Sequence, residues 1–221
     1  MQNSSETTIK EIFTSIQGEG LYTGEKQIFV RFSKCNLNCK YCDTDFSSEK
    51  KYSVEDLYKN LKSNPCEVIS FTGGEPLIEV DFLNEFLKKY KNKLNKKIYL
   101  ETNGTLYGNL EEIIEYVDIV SMDIKLKSAT GEENKFKDNE AFLKIANQKE
   151  TFIKVVFGKN ITKNEITSVI RLAKLNNNFI ILQPKMPMDN DVDIIKIFDE
   201  FYNEYKNVRL IPQVHKFLNI L

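Results

Sequence analysis

Short runs of β-branched and aromatic residues alternate along the chain with longer segments in which apolar residues recur every three or four positions. The first pattern predicts strands and the second predicts amphipathic helices. The six predicted strands are Gln27–Phe32, Glu67–Phe71, Lys97–Glu101, Asp118–Asp123, Thr151–Phe157 and Phe179–Gln183. A later run, Val208–Pro212, predicts one more strand at an edge of the sheet.

Helical periodicity fills the segments between these strands. The six predicted helices are Val54–Lys62, Asp81–Tyr90, Leu110–Tyr116, Glu140–Asn147, Asn164–Leu175 and Asp193–Tyr205. The segment Lys127–Asn139 lacks this period and is predicted to be the most loop-like part of the chain. Strands that alternate with helices are typical of parallel βα units, so the sequence predicts an α/β fold.

Polar and glycine-rich segments follow several of the predicted strands. These segments are Lys34–Asp45, Thr72–Pro76, Thr102–Gly104, Ile124–Ser128 and Pro184–Met188. Parallel strands joined by helices all point the same way, so these turns collect at the carboxyl edge of the sheet, where such folds bind ligands. We therefore expect the chemistry of the protein at this edge.

The composition favours one domain that covers residues 1–221, because 41% of the residues are hydrophobic and can fill one sizeable core. Lysine and arginine total 31 and aspartate and glutamate 32, which leaves a net charge of -1. No overall field then attracts nucleic acid or an anionic membrane, and neither is expected as a partner. The lysines of Lys88–Lys97 are predicted to surround a solvated helix end, because no aromatic platform for RNA alternates with them.

The cysteine content and the N-terminal segment bear on the compartment. Four cysteines are too few for a disulfide-stapled scaffold, which favours a reducing cytoplasm. The polar segment Met1–Lys10 has no apolar leader, and no apolar run is long enough to span a bilayer. We therefore expect a soluble, cytoplasmic protein.

Cys35, Cys39 and Cys42 follow the first predicted strand with the spacing C-x3-C-x2-C. Three such close thiolates can bind one metal centre, and thiolates select zinc or an iron–sulfur cluster. A closed zinc site needs a fourth ligand, for which only Cys66 and His215 remain among cysteine and histidine. An iron–sulfur cluster with three protein ligands leaves one iron open to a small molecule, which is a catalytic arrangement. The spacing favours the cluster, while zinc and three unrelated core cysteines stay as alternatives.

These three cysteines, with Tyr41 before the third, resemble the cluster loop of the radical S-adenosylmethionine (SAM) superfamily. The segment Phe71–Pro76, FTGGEP, resembles the glycine motif of the same superfamily. The resemblance implies a partial, open (βα)6 barrel with one [4Fe-4S] cluster per chain and SAM as cofactors. Paired glycines let a backbone approach a ligand closely, which agrees with a role in holding SAM.

A more specific resemblance begins near the N-terminus. The segment Glu11–Gly20, EIFTSIQGEG, followed by Gly24 and Arg31, resembles the 7-carboxy-7-deazaguanine synthases. Further matching segments are Cys42–Thr44, Thr72–Leu77, Glu101–Gly104 and Gln213–Lys216. The resemblance implies ring contraction of 6-carboxy-5,6,7,8-tetrahydropterin to 7-carboxy-7-deazaguanine with loss of ammonia, a step toward queuosine or another deazapurine.

The resemblance also implies which residues bind the pterin. They are Gln17, Gly18, Glu19, Arg31, Thr72, His215 and the C-terminal Leu221. Arg31 has a planar fork of N–H donors that suits the carboxylate of the substrate, and Gln17 and Glu19 can bond its amide-like edge. Taken alone, Arg31 could instead pair with a structural acid, and Gln17–Glu19 could be an ordinary glycine-flanked turn.

The SAM ligands that the resemblance implies are Tyr41, Asp43, Gly74, Glu75, Ser121, Asp123, Lys125 and Gln183. Alternation along the fourth strand sends Ser121, Asp123 and Lys125 to one face. This S-x-D-x-K pattern departs from the Ser-Pro-Lys of many family members, and a surface Asp–Lys pair is its alternative. Thr44 is implied as a ligand of Mg²⁺, which takes few protein ligands, and its alternative is a cap of the following turn.

The resemblance implies a homodimer and an electron donor such as flavodoxin or ferredoxin. Two other functions fit parts of the sequence. A glycyl-radical activating enzyme shares the cysteine spacing and acts on a protein partner, and a zinc-stabilised RNA-binding module fits the cysteines together with Lys88–Lys97. The motif Gln17–Glu19 and Arg31 favour the pterin enzyme.

Overall fold

The computed structural model describes residues 5–40, 49–188 and 191–220. These residues contain nine strands, β1 Glu6–Ile16, β2 Lys26–Phe32, β3 Lys50–Ser53, β4 Val68–Gly73, β5 Lys97–Thr102, β6 Ile119–Asp123, β7 Glu150–Phe157, β8 Ile180–Pro184 and β9 Val208–Leu210. They form one sheet in the order β3-β1-β2-β4-β5-β6-β7-β8-β9. Neighbouring strands from β2 through β4 to β9 are parallel, whereas β1 pairs antiparallel with β2 and β3.

The predicted α/β fold is confirmed. The six predicted strands correspond to β2 and β4 to β8, and the late run corresponds to β9. Within the described residues, β3 and β9 lie at opposite ends of the strand order and do not pair with each other. The sheet is therefore an open, partial barrel.

Eight helices lie in the described ranges, α1 Val54–Lys62, α2 Val80–Leu94, α3 Tyr107–Ile113, α4 Lys127–Thr130, α5 Phe136–Ala146, α6 Lys163–Ala173, α7 Ile194–Glu204 and α8 Val214–Leu218. Successive long helices contact one another in the order α1, α2, α3, α5, α6, α7 and cover one face of the sheet. No helix in these ranges is long and apolar enough to cross a membrane.

Local side-chain caps start two of these helices. The Ser53 hydroxyl accepts the backbone N–H of Asp56 at 3.2 Å at the start of α1. At the start of α6, Thr162 and Glu165 accept each other's backbone N–H groups and form a capping box. Both caps satisfy N–H groups that have no partner inside their helix.

The lysine-rich segment Lys88–Lys97 continues α2 to Leu94 and the turn after it, beyond the predicted end of the helix at Tyr90. Lys89 pairs with Glu55, and Lys91 pairs with Asp118. Pairing with neighbouring acids agrees with the predicted helix end and turn.

The prediction that Lys127–Asn139 is loop-like is wrong, because α4 and the first turn of α5 lie in it. Helix α4 is held by one local and one tertiary hydrogen bond. The buried Thr130 hydroxyl donates to the Leu126 carbonyl at 2.8 Å, and the Ser128 backbone N–H donates to Glu165 Oε1 at 2.9 Å. A helix this short cannot show a repeating apolar period, so the pattern did not predict it.

The long strand β1 was also missed, and a β-bulge explains why. The register with β2 shifts between Ile9 and Glu11. Before the bulge Ile9 faces the helix-side core, and after it Ile12 does, while Glu11 and Phe13 line the cavity described below. The extra residue breaks the alternation from which strands are predicted.

The inner face of the curved sheet is apolar at one end and polar at the other. Val68, Tyr99, Ile119, Phe152 and Ile181, near the amino ends of parallel strands, form a second core, against which Leu21 and Tyr22 pack. Two or four residues further along three of these strands, the same face presents Glu101, Ser121, Asp123, Lys154 and Val156 to a cavity. Because these apolar side chains fill the amino end of the inner face, the binding space lies at the carboxyl end.

Candidate functional site

A cavity of about 460 Å³ opens at the carboxyl ends of the parallel strands. The predicted site residues that line it are Cys35, Cys39, Gln17, Gly18, Glu19, Arg31, Thr72, Gly74, Ser121, Asp123, Lys125 and His215. Glu75 and Gln183 are buried and do not line it. Tyr41, Cys42, Asp43, Thr44 and Leu221 lie outside the described residues.

The cysteine loop after β2 is anchored on both sides. The Asn103 side-chain amide donates to Asn36 Oδ1 at 2.8 Å, and the Lys40 backbone N–H donates to the Thr130 carbonyl at 2.9 Å. The Leu37 N–H lies 3.5 Å from Cys35 Sγ as a donor, which favours the thiolate. Two thiols thus face the cavity from a fixed loop.

The glycine turn after β4 fits tightly against this loop. The Glu75 N–H donates to the Lys34 carbonyl at 2.7 Å, and a Cβ at Gly74 would lie 2.0 Å from the same oxygen. Gly73 has φ +110°, a conformation that side chains rarely adopt. Only glycines therefore allow the turn to border the cavity beside the cysteines.

Glu75 of this turn points into the protein. Its carboxylate accepts the Leu77 N–H at 3.2 Å, the Thr102 hydroxyl at 2.8 Å and the Asn103 N–H at 2.7 Å. Burial raises the pKa of the Glu75 carboxyl to about 7, against the opposing effect of these donors and of Lys125. The side chain links the glycine turn to the loop after β5.

Gln17 and Glu101 meet at the centre of the cavity wall. Gln17 Nε2 donates to Glu101 Oε1 at 2.7 Å, and the Thr72 hydroxyl donates to Glu101 Oε2 at 2.9 Å. The Glu19 backbone N–H donates to Gln17 Oε1 at 3.1 Å. The turn Gln17–Glu19 is therefore built onto strands β4 and β5, and is more than a surface loop.

The Glu19 carboxylate is buried between two elements. One oxygen pairs with Lys154, and the other accepts Gln213 Nε2 at 2.7 Å. Burial alone would raise the pKa of the Glu19 carboxyl, but Lys154, Gln213 and the nearby His215 outweigh it and lower this pKa to about 2. Glu19 is therefore an anion at neutral pH.

Asp123 lies at the end of β6 beside two lysines. Its Oδ2 lies 2.9 Å from Lys125 Nζ and 3.2 Å from Lys154 Nζ. The other oxygen, Oδ1, is buried and has no hydrogen-bond partner in the described part of the chain. A buried carboxylate oxygen beside a cavity can accept a ligand hydroxyl, which is the kind of group that a ribose offers.

Arg31 lies beside a structural acid and also lines the cavity. Its Nε lies 2.7 Å from Glu11 Oε1, a contact between charges without hydrogen-bond alignment. The guanidinium carbon lies 5.4 Å from the ring centre of Phe13, which stacks on Phe29 at 5.1 Å. The aromatic pair orients the guanidinium at the cavity wall.

The C-terminal segment closes one side of the cavity. The Val214 N–H donates to the Gly18 carbonyl at 2.9 Å, and a Cβ at Gly18 would lie 2.4 Å from His215 Nδ1. His215, Lys216 and Ile220 line the cavity. The absence of a side chain at position 18 brings the two ends of the chain together.

The lining residues that were not assigned from the sequence include four with charged or amide side chains, Glu11, Glu101, Lys154 and Gln213. Lys154 carried a usable signal, because it is a single cation inside the otherwise apolar run Phe152–Phe157. Such a residue is rarely buried without a charged partner. Gln183 shows a related signal in the structure, since neither atom of its buried amide has a partner among the described residues.

Within residues 5–40, 49–188 and 191–220, no group of three or more His, Cys, Asp or Glu side chains is arranged to hold a metal ion. Of the predicted cluster ligands, Cys35 and Cys39 are among the described residues and Cys42 is not. The donor chemistry still fits an iron–sulfur cluster and SAM. Two thiols, a close-fitting glycine turn and an unpartnered carboxylate oxygen border one cavity.

Comparison with known proteins gives consistent matches. The radical SAM superfamily is matched over residues 29–201. The 7-carboxy-7-deazaguanine synthase of Geobacter sulfurreducens is 34% identical, over 96% of this chain and 97% of the relative. That of Clostridium acetobutylicum is 32% identical, over 95% of each chain.

Two solved structures share the fold. QueE from Escherichia coli matches with a TM-score of 0.64 and 22% identity, and the match covers 95% of each chain. Archaeal TYW1 matches with a TM-score of 0.56 and 15% identity, over 81% of this chain and 72% of that one.

Proposed function

This chain belongs to the radical SAM superfamily and, within it, to the 7-carboxy-7-deazaguanine synthases, and from this membership we propose that it converts 6-carboxy-5,6,7,8-tetrahydropterin to 7-carboxy-7-deazaguanine. The observation that carries the proposal is the shared cavity. Its lining includes Cys35, Cys39 and the glycine turn together with the turn Gln17–Glu19 and Arg31. A cofactor and a small polar substrate can therefore meet in it.

The superfamily implies a [4Fe-4S] cluster and SAM. When bound, they supply one-electron chemistry, in which SAM is cleaved reductively and a hydrogen atom is taken from the substrate. Cys35 and Cys39, with Cys42, would hold the cluster. Gly74 would border the amino acid end of SAM, and the unpartnered oxygen of Asp123 would accept a ribose hydroxyl.

The chain itself would bind, orient and enclose the pterin. The guanidinium of Arg31 would take the substrate carboxylate, in the geometry for which its fork of donors is suited. The anionic Glu19 would accept N–H groups of the pterin edge, and Gln17, held by Glu101, would lie beside it. Thr72 and His215 line the same space. Fixed partners hold these groups ready before the substrate arrives.

Several further assignments rest on the resemblance. We propose Mg²⁺ at Thr44, the C-terminal carboxylate of Leu221 at the pterin, a homodimer, a cytoplasmic location and reduction by flavodoxin or ferredoxin. The remaining SAM contacts proposed are Tyr41, Asp43, Ser121 and Lys125. The buried side chains of Glu75 and Gln183 do not line the cavity and are not proposed as SAM contacts. Removal of divalent cations with a chelator, followed by addition of Mg²⁺, tests the magnesium assignment by loss and recovery of turnover.

The function is tested by anaerobic turnover of the reconstituted protein with SAM, a reductant and 6-carboxy-5,6,7,8-tetrahydropterin. We expect 7-carboxy-7-deazaguanine among the products. In Cys39→Ala, the cluster loses a thiolate that the chemistry requires, so product and SAM cleavage should both disappear. The matched control is Cys66→Ala, at a buried cysteine that does not line the cavity and should leave turnover intact.

Three outcomes would contradict the proposal. An active Cys39→Ala variant would remove the cluster assignment. Stoichiometric zinc in place of iron and sulfide would favour the RNA-binding module, and SAM cleavage without any conversion of the pterin would favour the glycyl-radical activating enzyme.

A further inference from the structure

We propose that Lys154 is a positioning residue that fixes Glu19 against the pterin edge and joins the pterin side of the cavity to its SAM side through Asp123. The inference rests on the proposed function, because it takes the roles of Glu19 and Asp123 from it. Lys154 itself contacts neither ligand in this proposal. It acts on the pterin through the carboxylate of Glu19 and on SAM through the carboxylate of Asp123.

The contacts of Lys154 span the cavity wall. Its Nζ pairs with Glu19 Oε2 and lies 3.2 Å from Asp123 Oδ2. The two carboxylates come from distant parts of the chain, since Glu19 and Lys154 are 135 positions apart. One ammonium group therefore sets the spacing between an N-terminal turn and the end of β6.

The sheet register explains why this lysine reaches both acids. Asp123 on β6 and Lys154 on β7 are paired neighbours, and their side chains leave the same face. The turn that carries Glu19 continues into the segment whose Leu21 and Tyr22 cap the second core. Lys154 lies two residues beyond Phe152, and the packing of Phe152 in that core fixes the position of Lys154.

Burial makes the arrangement specific. The side chains of Lys154, Glu19 and Asp123 are only 8%, 16% and 11% exposed. A buried ammonium ion needs charged partners, and removal of one member leaves an unpaired charge in a poorly solvated place. Lys154 can satisfy both carboxylates from one position, which restricts the orientation of each.

The surrounding charges show that Lys154 is the group that balances Glu19. The charged and titratable groups around the pair of Glu19 and Lys154 are Tyr99 and Glu101 on β5, Asp123 and Lys125 on β6, and His215 on α8. Lys125 contacts Asp123 at 2.9 Å and lies on the SAM side. Without Lys154, the Glu19 carboxylate would keep the hydrogen bond from Gln213 and the attraction of His215 but would lose the ammonium group that pairs with it.

The pKa values agree with this geometry. Burial opposes ionisation of both partners, yet attraction to Glu19, Asp123 and Glu101 raises the pKa of Lys154. Lys154 is in turn the leading influence that lowers the pKa of Glu19. Loss of Lys154 leaves burial opposed only by Gln213 and His215, so we expect the pKa of Glu19 to rise and Glu19 to take up a proton in the working pH range.

The test measures anaerobic binding of 6-carboxy-5,6,7,8-tetrahydropterin to the SAM-loaded, reconstituted protein between pH 5.5 and 8.5. In Lys154→Met, which keeps the length of the side chain but not its charge, we expect about tenfold weaker binding near pH 6 and a recovery as pH rises. The reason is that only anionic Glu19 can accept the pterin N–H groups. The double variant Lys154→Met/Glu19→Gln should lose this pH dependence, because glutamine does not ionise.

Lys125→Met is the matched control. It removes another ammonium group from Asp123, so it should weaken the binding of SAM. The pH profile of pterin binding should stay like that of the wild type. If the role of Lys154 were merely structural, Lys154→Met would lower the melting temperature. It would not create a pH dependence of pterin binding that Glu19→Gln abolishes. Equal pterin affinity of Lys154→Met and the wild type at pH 6 and pH 8 would overturn the inference.

A second measurement keeps the inference testable if Lys154→Met does not fold. The ratio of pterin dissociation constants between Glu19→Gln and the wild type should stay constant from pH 5.5 to 8.5, because Lys154 keeps Glu19 ionised throughout. A ratio that falls toward one at low pH would show that Glu19 titrates despite Lys154, against the inference. Failure of the wild type to bind the pterin at any pH would instead contradict the proposed function, and the inference with it.

Discussion

At the scale of single residues, the site depends on side chains that are held by other groups of the protein. Glu75 illustrates this, because its motif predicts a ligand contact and its carboxylate is turned inward onto Thr102 and Asn103. Arg31 illustrates the converse. It has the structural acid that the sequence left as an alternative, Glu11, and it still lines the cavity.

Replacement of Glu75 by glutamine should change how stability depends on pH. The folded-state pKa of about 7 is raised from the usual value of 4.5, so the neutral acid favours the fold. In the wild type this contribution is present below about pH 4.5 and is lost as pH rises to about 7, because the unfolded chain ionises first. The Glu75→Gln variant cannot ionise and should lack this loss.

The measurement is the melting temperature under anaerobic conditions at pH 5 to 8. The melting temperature of Glu75→Gln relative to the wild type should increase with pH over this interval. Exposed Glu111 on α3 offers a control, because Glu111→Gln should keep the wild-type pH dependence. A constant difference between Glu75→Gln and the wild type would show that Glu75 is ionised in the fold throughout.

Replacement of Arg31 by alanine should weaken the pterin selectively. Hydrogen bonds to a charged group contribute about 1.5–3 kcal/mol, so the KM for the pterin should rise about tenfold to a hundredfold. The KM for SAM should change little, because only the pterin carboxylate is assigned to Arg31. Arg171→Ala, which breaks a surface pair with Glu140, should alter neither constant. Equal rises in both constants would argue against the assignment.

At the scale of elements, short-range signals determine some helices and tertiary contacts determine others. The capping box of α6 is visible in the sequence as Thr162 followed three residues later by Glu165. The same Glu165 accepts the Ser128 N–H, which holds α4 and is not visible in the sequence. Helix α6 begins where a local motif predicts, while α4 exists because another helix offers it an acceptor.

Removal of the α6 cap should destabilise the fold without touching the cavity. The Thr162→Ala variant leaves backbone N–H groups at the first turn unsatisfied, at a cost of about 1 kcal/mol in the free energy of unfolding. Thr167→Ala is the control on the same helix, at an exposed interior position where alanine is the better helix former. The measurement is the shift in melting temperature, downward for Thr162→Ala only. Equal stability of the two variants would mean that the cap contributes nothing.

At the scale of the whole molecule, the N-terminal turn Gln17–Glu19 meets the C-terminal segment Gln213–Lys216 at the cavity. The contact is a backbone hydrogen bond from Val214 to Gly18, and the imidazole of His215 occupies the space where a side chain at position 18 would lie. Gln213 then reaches Glu19 at 2.7 Å. The pterin side of the cavity is therefore shaped by residues from both ends.

A methyl group at position 18 should separate these ends. The Gly18→Ala variant places Cβ 2.4 Å from His215 Nδ1, so α8 must move and Gln213 must leave Glu19. We expect the KM for the pterin to rise about tenfold with little change for SAM, since about 1.4 kcal/mol corresponds to a tenfold change in binding. Gly108→Ala is the control, because Cβ there meets nothing within 4 Å. Unchanged pterin kinetics in Gly18→Ala would show that the contact does not shape the site.

The sequence by itself determined the alternation of the six predicted strands with helices, the edge of the sheet where chemistry collects, and the residue types of the cofactor loop. These features follow from periodicity and spacing over a few residues, as in the six parallel strands and the cysteine motif. The bulge in β1, the short helix α4, the inward turn of Glu75 and the bridge from Glu19 through Lys154 to Asp123 were decided only by the tertiary structure. Each of them depends on contacts between residues that are far apart in the chain, and such contacts have no signature in the local pattern of apolar and polar positions.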